Sequence, residues 1–229
     1  MELFDILGPI MIGPSSSHTA GAARIGKISR ILLGEKPVEA KVHLHGSFAE
    51  TGIGHGTNLA IIGGLLGMNP DDLRIPFAFE EAEKEGLRFC FDTVELRDVH
   101  PNTAVLELTG EKGGHLTIQA CSIGGGAIEV TALDGYEVSF TGNYNTLVIR
   151  NQDEFGTLAG VTTILSQFHI NVGNMSLHRN KRGGDALMII ETDQHIKPSQ
   201  VAFLGELPGI RAITYYDKED EEYGFTLHR

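Results

Sequence analysis

The chain has 229 residues, 41% of them hydrophobic, enough for one large domain or two small ones with a proper core. Its 18 Lys and Arg stand against 30 Asp and Glu, a formal net charge of −12. That balance argues against a generic nucleic-acid or anionic-membrane surface, though a local site can still hold a small anion.

The start, Met1-Glu2-Leu3-Phe4-Asp5, has neither the basic opening nor the long apolar run of a signal peptide. No apolar run is long enough for a membrane span, so a cytoplasmic protein is expected. Cys90 and Cys121 fit a reducing compartment and make no CxxC metal pair. Two thiols also fall short of the three or four that an iron–sulfur cluster takes.

The segment Gly13-Pro14-Ser15-Ser16-Ser17-His18-Thr19-Ala20-Gly21 packs four hydroxyls and an imidazole between glycines, just before a helical pattern. Unpaired N–H groups and hydroxyls at a helix start suit an anionic ligand, and His18 can change charge near neutral pH. The plainer reading is an N-cap, which one Ser satisfies and three exceed. A helix is predicted over 20–33, with Ala22, Ile25, Ile28 and Leu32 on one stripe, Gly34 as its stop and Arg24 solvated.

A half-buried strand follows over 38–44, in which Val38, Ala40, Val42 and Leu44 alternate with Glu39, Lys41 and His43. The stretch 46–58 is glycine-rich and reads as a second loop. It ends Gly54-His55-Gly56-Thr57 before a helix over 58–66, and so repeats the pairing of imidazole and hydroxyl at a helix start. His18, His43, His45 and His55 permit a zinc reading, which the lack of a short helical ligand pair and the small number of nearby carboxylates disfavour.

Turn chemistry occupies 69–76, and 80–85 is a charged, exposed run. Strands over 88–96, 104–108 and 115–123, with Pro101-Asn102 and Gly113-Gly114 between them, read as antiparallel hairpins. Ile123-Gly124-Gly125-Gly126-Ala127 is a third glycine loop, which also fits a tight corner. Strands over 128–132 and 136–140 close the first part.

Composition changes at Thr141-Gly142-Asn143-Tyr144-Asn145. Beyond it come a strand (147–150), a helix (156–168), strands (171–177 and 186–192), a helix (198–204) and a strand (210–216), the βαββαβ order of a ferredoxin-like split unit. Leu158, Val161, Ile164, Leu165 and Phe168 form the apolar face of its first helix. The residues 180–184 make a polar hairpin, and the charged tail, 217–229, is expected to fray. The expected fold class is therefore α+β: an α/β domain over 1–142, then a ferredoxin-like βαββαβ domain over 146–220.

Asn151-Gln152-Asp153-Glu154-Phe155-Gly156 together with His169-Ile170-Asn171-Val172, in a βαββαβ unit of this size, resembles an ACT regulatory domain. The resemblance implies an amino-acid effector at a subunit interface, with Asn151, Asp153 and Asn171 at the effector positions and a homodimer formed through this domain. The alternative is an ACT fold that only dimerises.

Ile12 to Thr19, His45-Gly46-Ser47 and the run from Gly52 to Thr57 resemble the N-terminal domain of bacterial iron–sulfur L-serine dehydratases. With the ACT-like part behind it, the whole chain is similar to the β chain of the two-chain form. That resemblance implies deamination of L-serine to pyruvate and ammonia with an α subunit that holds a 4Fe–4S cluster, and no metal ligand in this chain. His18 and His55 would move protons, His55 as the base by resemblance, while Ser15, Ser16, Ser17, Thr19, Ser47 and Thr57 would hold substrate or anion. The first domain also resembles the allosteric substrate-binding domain of some phosphoglycerate dehydrogenases, in which case the segment binds serine-like effectors or anions without chemistry. No nucleic-acid or membrane partner is expected.

Overall fold

The computed structural model describes residues 10–218 and 225–228; the start at 1–5 and the stretch 219–224 of the tail lie outside the described residues. The chain is mixed α/β with two sheets, and its contacts divide it into the units Met1–Gly135 and Tyr136–Arg229. Among the described residues no helix is long and apolar enough to cross a membrane.

A π-helix, Ser16–Gly21, runs directly into α1, Ala22–Leu33, which Gly34 ends in the left-handed conformation. Ala22, Ile25, Ile28 and Leu32 are all buried, so the predicted stripe is the packing face. β1, Pro37–Leu44, buries Ala40, Val42 and Leu44. The stretch 46–58, expected as a loop, is helical instead. α2, Gly46–His55, and α3, Thr57–Leu65, meet at Gly56, whose φ of 74° interrupts the helix. Each interior glycine disfavours helix by about 1 kcal/mol, and the burial of Phe48, fully inside, works against that loss. The charged run at 80–85 lies on α4, Ala78–Glu85.

α1 and α3 cross with their backbones in contact. A Cβ built at Gly26 would lie 2.1 Å from the Ile61 carbonyl oxygen, and one built at Gly64 would lie 2.0 Å from that of Ala23. From this crossing the two helices run back to a shared end, where Thr19 Oγ1 donates to the His55 carbonyl at 3.3 Å.

β2, Arg88–Thr93, β3, Thr103–Gly110, β4, His115–Gly124, β5, Ala127–Leu133, and β6, Tyr136–Phe140, complete the first sheet in the order β2-β1-β3-β4-β5-β6. β3 with β4 and β4 with β5 are antiparallel hairpins, as expected. β2 differs: it pairs parallel to β1, from Glu39 with Arg88 to Leu44 with Thr93. The intervening helices α2, α3 and α4 supply the long crossover that a parallel pair requires, and β3 then pairs on the other side of β1. Gly124, Gly125 and Gly126 all have positive φ and make the tight corner between β4 and β5. Arg24, expected to be solvated, is half-buried and donates to the Gly126 carbonyl at 3.2 Å.

The second unit carries β7, Asn145–Gln152, α5, Thr157–Gln167, β8, Val172–Arg179, β9, Asp185–Thr192, α6, Pro198–Gly205, and β10, Ile210–Tyr216. That is the order read from the sequence. A further strand, β11, Phe225–His228, pairs antiparallel with β10, so the described end of the tail is ordered into the sheet rather than frayed. The sheet order is β11-β10-β7-β9-β8. Val161, Ile164 and Leu165 of α5 pack on Leu147, Ile149 and Met188. Leu158 does not join them and stays 40% exposed, so the apolar stripe ends one turn short of the helix start.

Candidate functional site

The Ser-rich segment folds as a cap and a widened turn. Ser15 is the N-cap in an extended conformation; its Oγ accepts from the His18 N–H at 3.2 Å, and its carbonyl accepts from the Thr19 N–H at 2.8 Å. The π-turn behind it buries Thr19, Ala20 and Gly21 and leaves Ser16, Ser17 and His18 half-buried. A side chain at Gly21 would collide with Ser122 of β4, since its Cβ would lie 2.1 Å from Ser122 Oγ. Turns of this type recur at functional sites because they push side chains off the regular helical positions.

His18 is the hub. Its Nε2 lies 3.1 Å from Ser47 Oγ and 3.0 Å from Thr51 Oγ1, and its Nδ1 lies 3.3 Å from Ser15 Oγ. Phe48 meets the ring edge-on at 5.4 Å, and His55 meets it at 5.0 Å with the planes at 81°. Burial lowers the His18 pKa from its ordinary value, the facing His55 lowers it further, and a hydrogen bond to the Ser47 main chain opposes both. The neutral ring is thereby favoured. His55 is exposed at the end of α2.

Thr57 opens α3 fully buried, and neither its Oγ1 nor Asn58 Oδ1 has a hydrogen-bond partner. Both flank Gly52, where an added Cβ would come within 3.2 Å of Asn58 Oδ1 and 3.4 Å of the Thr57 Cβ. Buried polar atoms without partners are uncommon, and these two are acceptors or donors a small polar ligand can satisfy.

Of the residues expected to act in the first unit, the structure gathers Ser15, His18, Thr19, Ser47 and His55 by direct contacts. Thr57 follows His55 by two residues, and Ser16 and Ser17 lie in the same π-turn as His18. Thr51 went unnoticed in the sequence. The signal was its position four residues after Ser47, which matters only once 46–55 is known to be helical.

The histidines do not converge on a metal. His43 Nε2 lies 3.3 Å from Glu107 Oε1, and His45 Nδ1 accepts from the Leu96 N–H at 3.2 Å, holding the segment after β2. Among the described residues no group of three or more His, Cys, Asp or Glu could hold a metal ion. Cys90 is exposed on β2 and Cys121 buried on β4, with β1 and β3 between those strands. The side chains present therefore do not fit an iron–sulfur cluster.

In the second unit, Asn151 is buried and donates to the Gln152 carbonyl at 2.7 Å. Asp153 accepts from Arg179 and from the Gly183 N–H, both at 2.9 Å, and these bonds hold its carboxyl below the usual range. Asn171 instead bonds Asp193 at 2.6 Å. Asn151 pairs with Ala186 on β9, whereas Val172, next to Asn171, pairs with Thr192. Six residues of strand separate those positions, about 20 Å, so one chain does not bring the three expected effector residues together.

Residues 2–87 match the family described as Serine dehydratase beta chain. The chain is similar to the "Probable L-serine dehydratase, beta chain" of Bacillus subtilis (strain 168), 49% identical over 213 residues, covering 93% of this chain and 96% of that one. It is 36% identical over 204 residues to the "L-serine dehydratase, beta chain" of Peptoniphilus asaccharolyticus, covering 88% and 92% respectively. It is also 22% identical over 196 residues to the D-3-phosphoglycerate dehydrogenase of Bacillus subtilis (strain 168), 86% of this chain but 37% of that one.

Proposed function

The chain belongs to the serine dehydratase beta chain family, and from that premise we propose that it is the β subunit of an iron–sulfur L-serine dehydratase. It works with an α subunit that holds the 4Fe–4S cluster, since the two cysteines of this chain are fewer than such a cluster takes. The observation that carries the reading is His18 set edge-on against His55 and ringed by hydroxyls at a helix start.

Dehydration of serine removes the α-proton and the β-hydroxyl. The enamine that results takes water back and yields pyruvate and ammonia. His55 takes the α-proton, its exposed ring being open to a substrate held against the partner. His18 stays neutral beside it, because two imidazoles this close do not readily carry charge together. Ser15, Ser16 and Ser17, with Ser47 and Thr57, receive the polar end of the amino acid, while Thr19, whose N–H and hydroxyl bond the Ser15 and His55 carbonyls, holds the turn that presents them.

The first domain spans 1–142 in this reading, and the second, over 146–220, is an ACT domain that senses an amino acid and pairs two chains in the cytoplasm. Since Asn151 and Asp153 lie at the far end of the sheet from Asn171, an effector site using all three closes only between two copies.

The test is turnover of L-serine, measured anaerobically with the α subunit added. The chain alone is expected to be inactive, and His55→Ala in the mixture is expected to lower kcat by about 10²–10⁴-fold. The match to the D-3-phosphoglycerate dehydrogenase favours a second reading, a regulatory binding module without chemistry. Under it, serine binds the isolated chain and His55→Ala leaves turnover of the mixture unchanged.

A further inference from the structure

The hydroxyls around His18 are not equivalent. Thr51 Oγ1 lies 2.8 Å from the Ser47 carbonyl and 3.0 Å from His18 Nε2. A hydroxyl has one hydrogen, and a carbonyl only accepts. A helical Thr that donates to the carbonyl four residues back meets any third group as an acceptor. Thr51 in that state requires the hydrogen of the imidazole on Nε2, where Ser47 Oγ at 3.1 Å can share it.

The other side of the ring agrees. Ser15 Oγ accepts from the His18 N–H and lies 3.3 Å from Nδ1. With Nε2 protonated, the Ser15 hydroxyl donates to Nδ1. Three bonds then form together: Nε2–H to Thr51, Thr51 to the Ser47 carbonyl, and Ser15 to Nδ1. The opposite tautomer matches that number only if Ser47 Oγ donates to the bare Nε2, and Thr51 Oγ1, still bonded to the carbonyl, then faces that nitrogen lone pair to lone pair at 3.0 Å. If Thr51 turns to Nε2 instead, it abandons the carbonyl, and in either case Nδ1–H donates to Ser15, whose own hydrogen loses Nδ1 as its acceptor. Which ring nitrogen carries the proton follows from the bonds that surround it.

We propose that Thr51 is a positioning residue that fixes His18 as the Nε2–H tautomer and, through it, turns Ser15 into an acceptor toward the ligand. The basic nitrogen of His18 is then Nδ1, held against Ser15. Ser15 spends its hydrogen on that nitrogen and one lone pair on the His18 N–H, so it offers the ligand a lone pair only. That suits an ammonium group, whereas Ser16 and Ser17 remain for the carboxylate. The assignment to an amino-acid ammonium rests on the serine dehydratase reading; the tautomer does not.

Nitrogen-15 NMR of histidine-labelled chain at about pH 8 reads the tautomer directly, since the protonated and bare nitrogens of a neutral ring resonate far apart. His18→Gln identifies the His18 signals among the 10 histidines. The bare-nitrogen signal is expected on Nδ1. Thr51→Val should move the tautomer ratio toward Nδ1–H by about fivefold to tenfold, the range one hydrogen bond commands, and Thr51→Ser should restore it. A bare Nε2 in the unmodified chain overturns the proposal, and so does an unchanged ratio in Thr51→Val. Should that variant fold poorly, Thr51→Ala gives the same comparison and the unmodified chain already decides the tautomer.

With the α subunit, Thr51→Val should lower kcat and shift the pH profile, with Thr51→Ser returning both. If the ratio shifts as expected while the profile stays still, the tautomer assignment stands and the serine dehydratase reading of the site falls.

Discussion

Gly64→Ala probes the backbone contact on which the site is built. Taken alone, Ala for Gly inside a helix gains about 0.8–1.0 kcal/mol. At this position the new methyl would lie 2.0 Å from the Ala23 carbonyl oxygen and 2.8 Å from the Lys27 nitrogen, both backbone atoms of α1 that have no rotamer to turn to. Ordinary contact begins near 3.4 Å, so the helices must separate by more than 1 Å to admit it. Overpacking of this kind costs about 1–3 kcal/mol or more. Taking the upper end, because backbone meets backbone, the net loss is about 2 kcal/mol. Gly63→Ala is the control one residue away. Its methyl would meet the Met68 sulfur at 3.3 Å and Ile75 Cγ1 at 3.4 Å, side-chain atoms that can give way. That variant should match the unmodified chain or exceed its stability by up to about 1 kcal/mol. Urea unfolding followed by circular dichroism measures both, and a thermal scan should place Gly64→Ala about 4–8 °C low. Equal midpoints for the two variants would refute the backbone-contact account. A stable Gly64→Ala chain would also mean that the tight helix crossing is not what brings His18 and His55 together.

His18 should make stability depend on pH. The folded ring binds its proton more weakly than the unfolded chain does, so the full contribution holds above the ordinary imidazole pKa of about 6.5 and is lost as pH falls through and below that value. Denaturation at about pH 7.5 and about pH 5.5 should show a larger acid loss for the unmodified chain than for His18→Gln; equal losses would contradict it. Gly21→Ala should destabilise by about 1–3 kcal/mol, because its methyl enters the space of Ser122 Oγ, 2.1 Å away. Adding Ser122→Gly should recover part of that loss, and a double variant no better than Gly21→Ala alone would locate the strain elsewhere.

What the sequence made legible followed from local periodicity. The second unit emerges element by element because its apolar residues recur at strand and helix spacing, and α1 does so through Ala22, Ile25, Ile28 and Leu32. The stretch 46–58 resisted because glycine is a poor helix former, and only the tertiary burial of Phe48 and the crossing of α1 with α3 reveals why it is helical. The partner of β2 was hidden for a different reason. Alternation in a strand says which side faces the core and nothing about which strand lies beside it. The residues of the candidate site were visible as types in two motifs, but Thr51 acquires meaning only when a helix sets it one turn past Ser47. Arg24 looks like any helix-surface cation until the corner at Gly126 is placed against it.

The widened turn at Ser16–Gly21 holds one residue more than an ordinary helical turn of the same span. Each residue added or removed there rotates everything upstream by about 100° around the axis while leaving the downstream stripe of α1 untouched. Chain length within this single turn is therefore an orientation dial for the cap and imidazole, separate from the code that packs the helix. A one-residue deletion between His18 and Gly21 should leave helix content unchanged and swing Ser15 and His18 together away from Ser47 and Thr51, disconnecting the imidazole without unfolding anything. A family built on this scaffold could switch between reacting with a ligand and merely holding it through an insertion or deletion at that turn, with no change to its core.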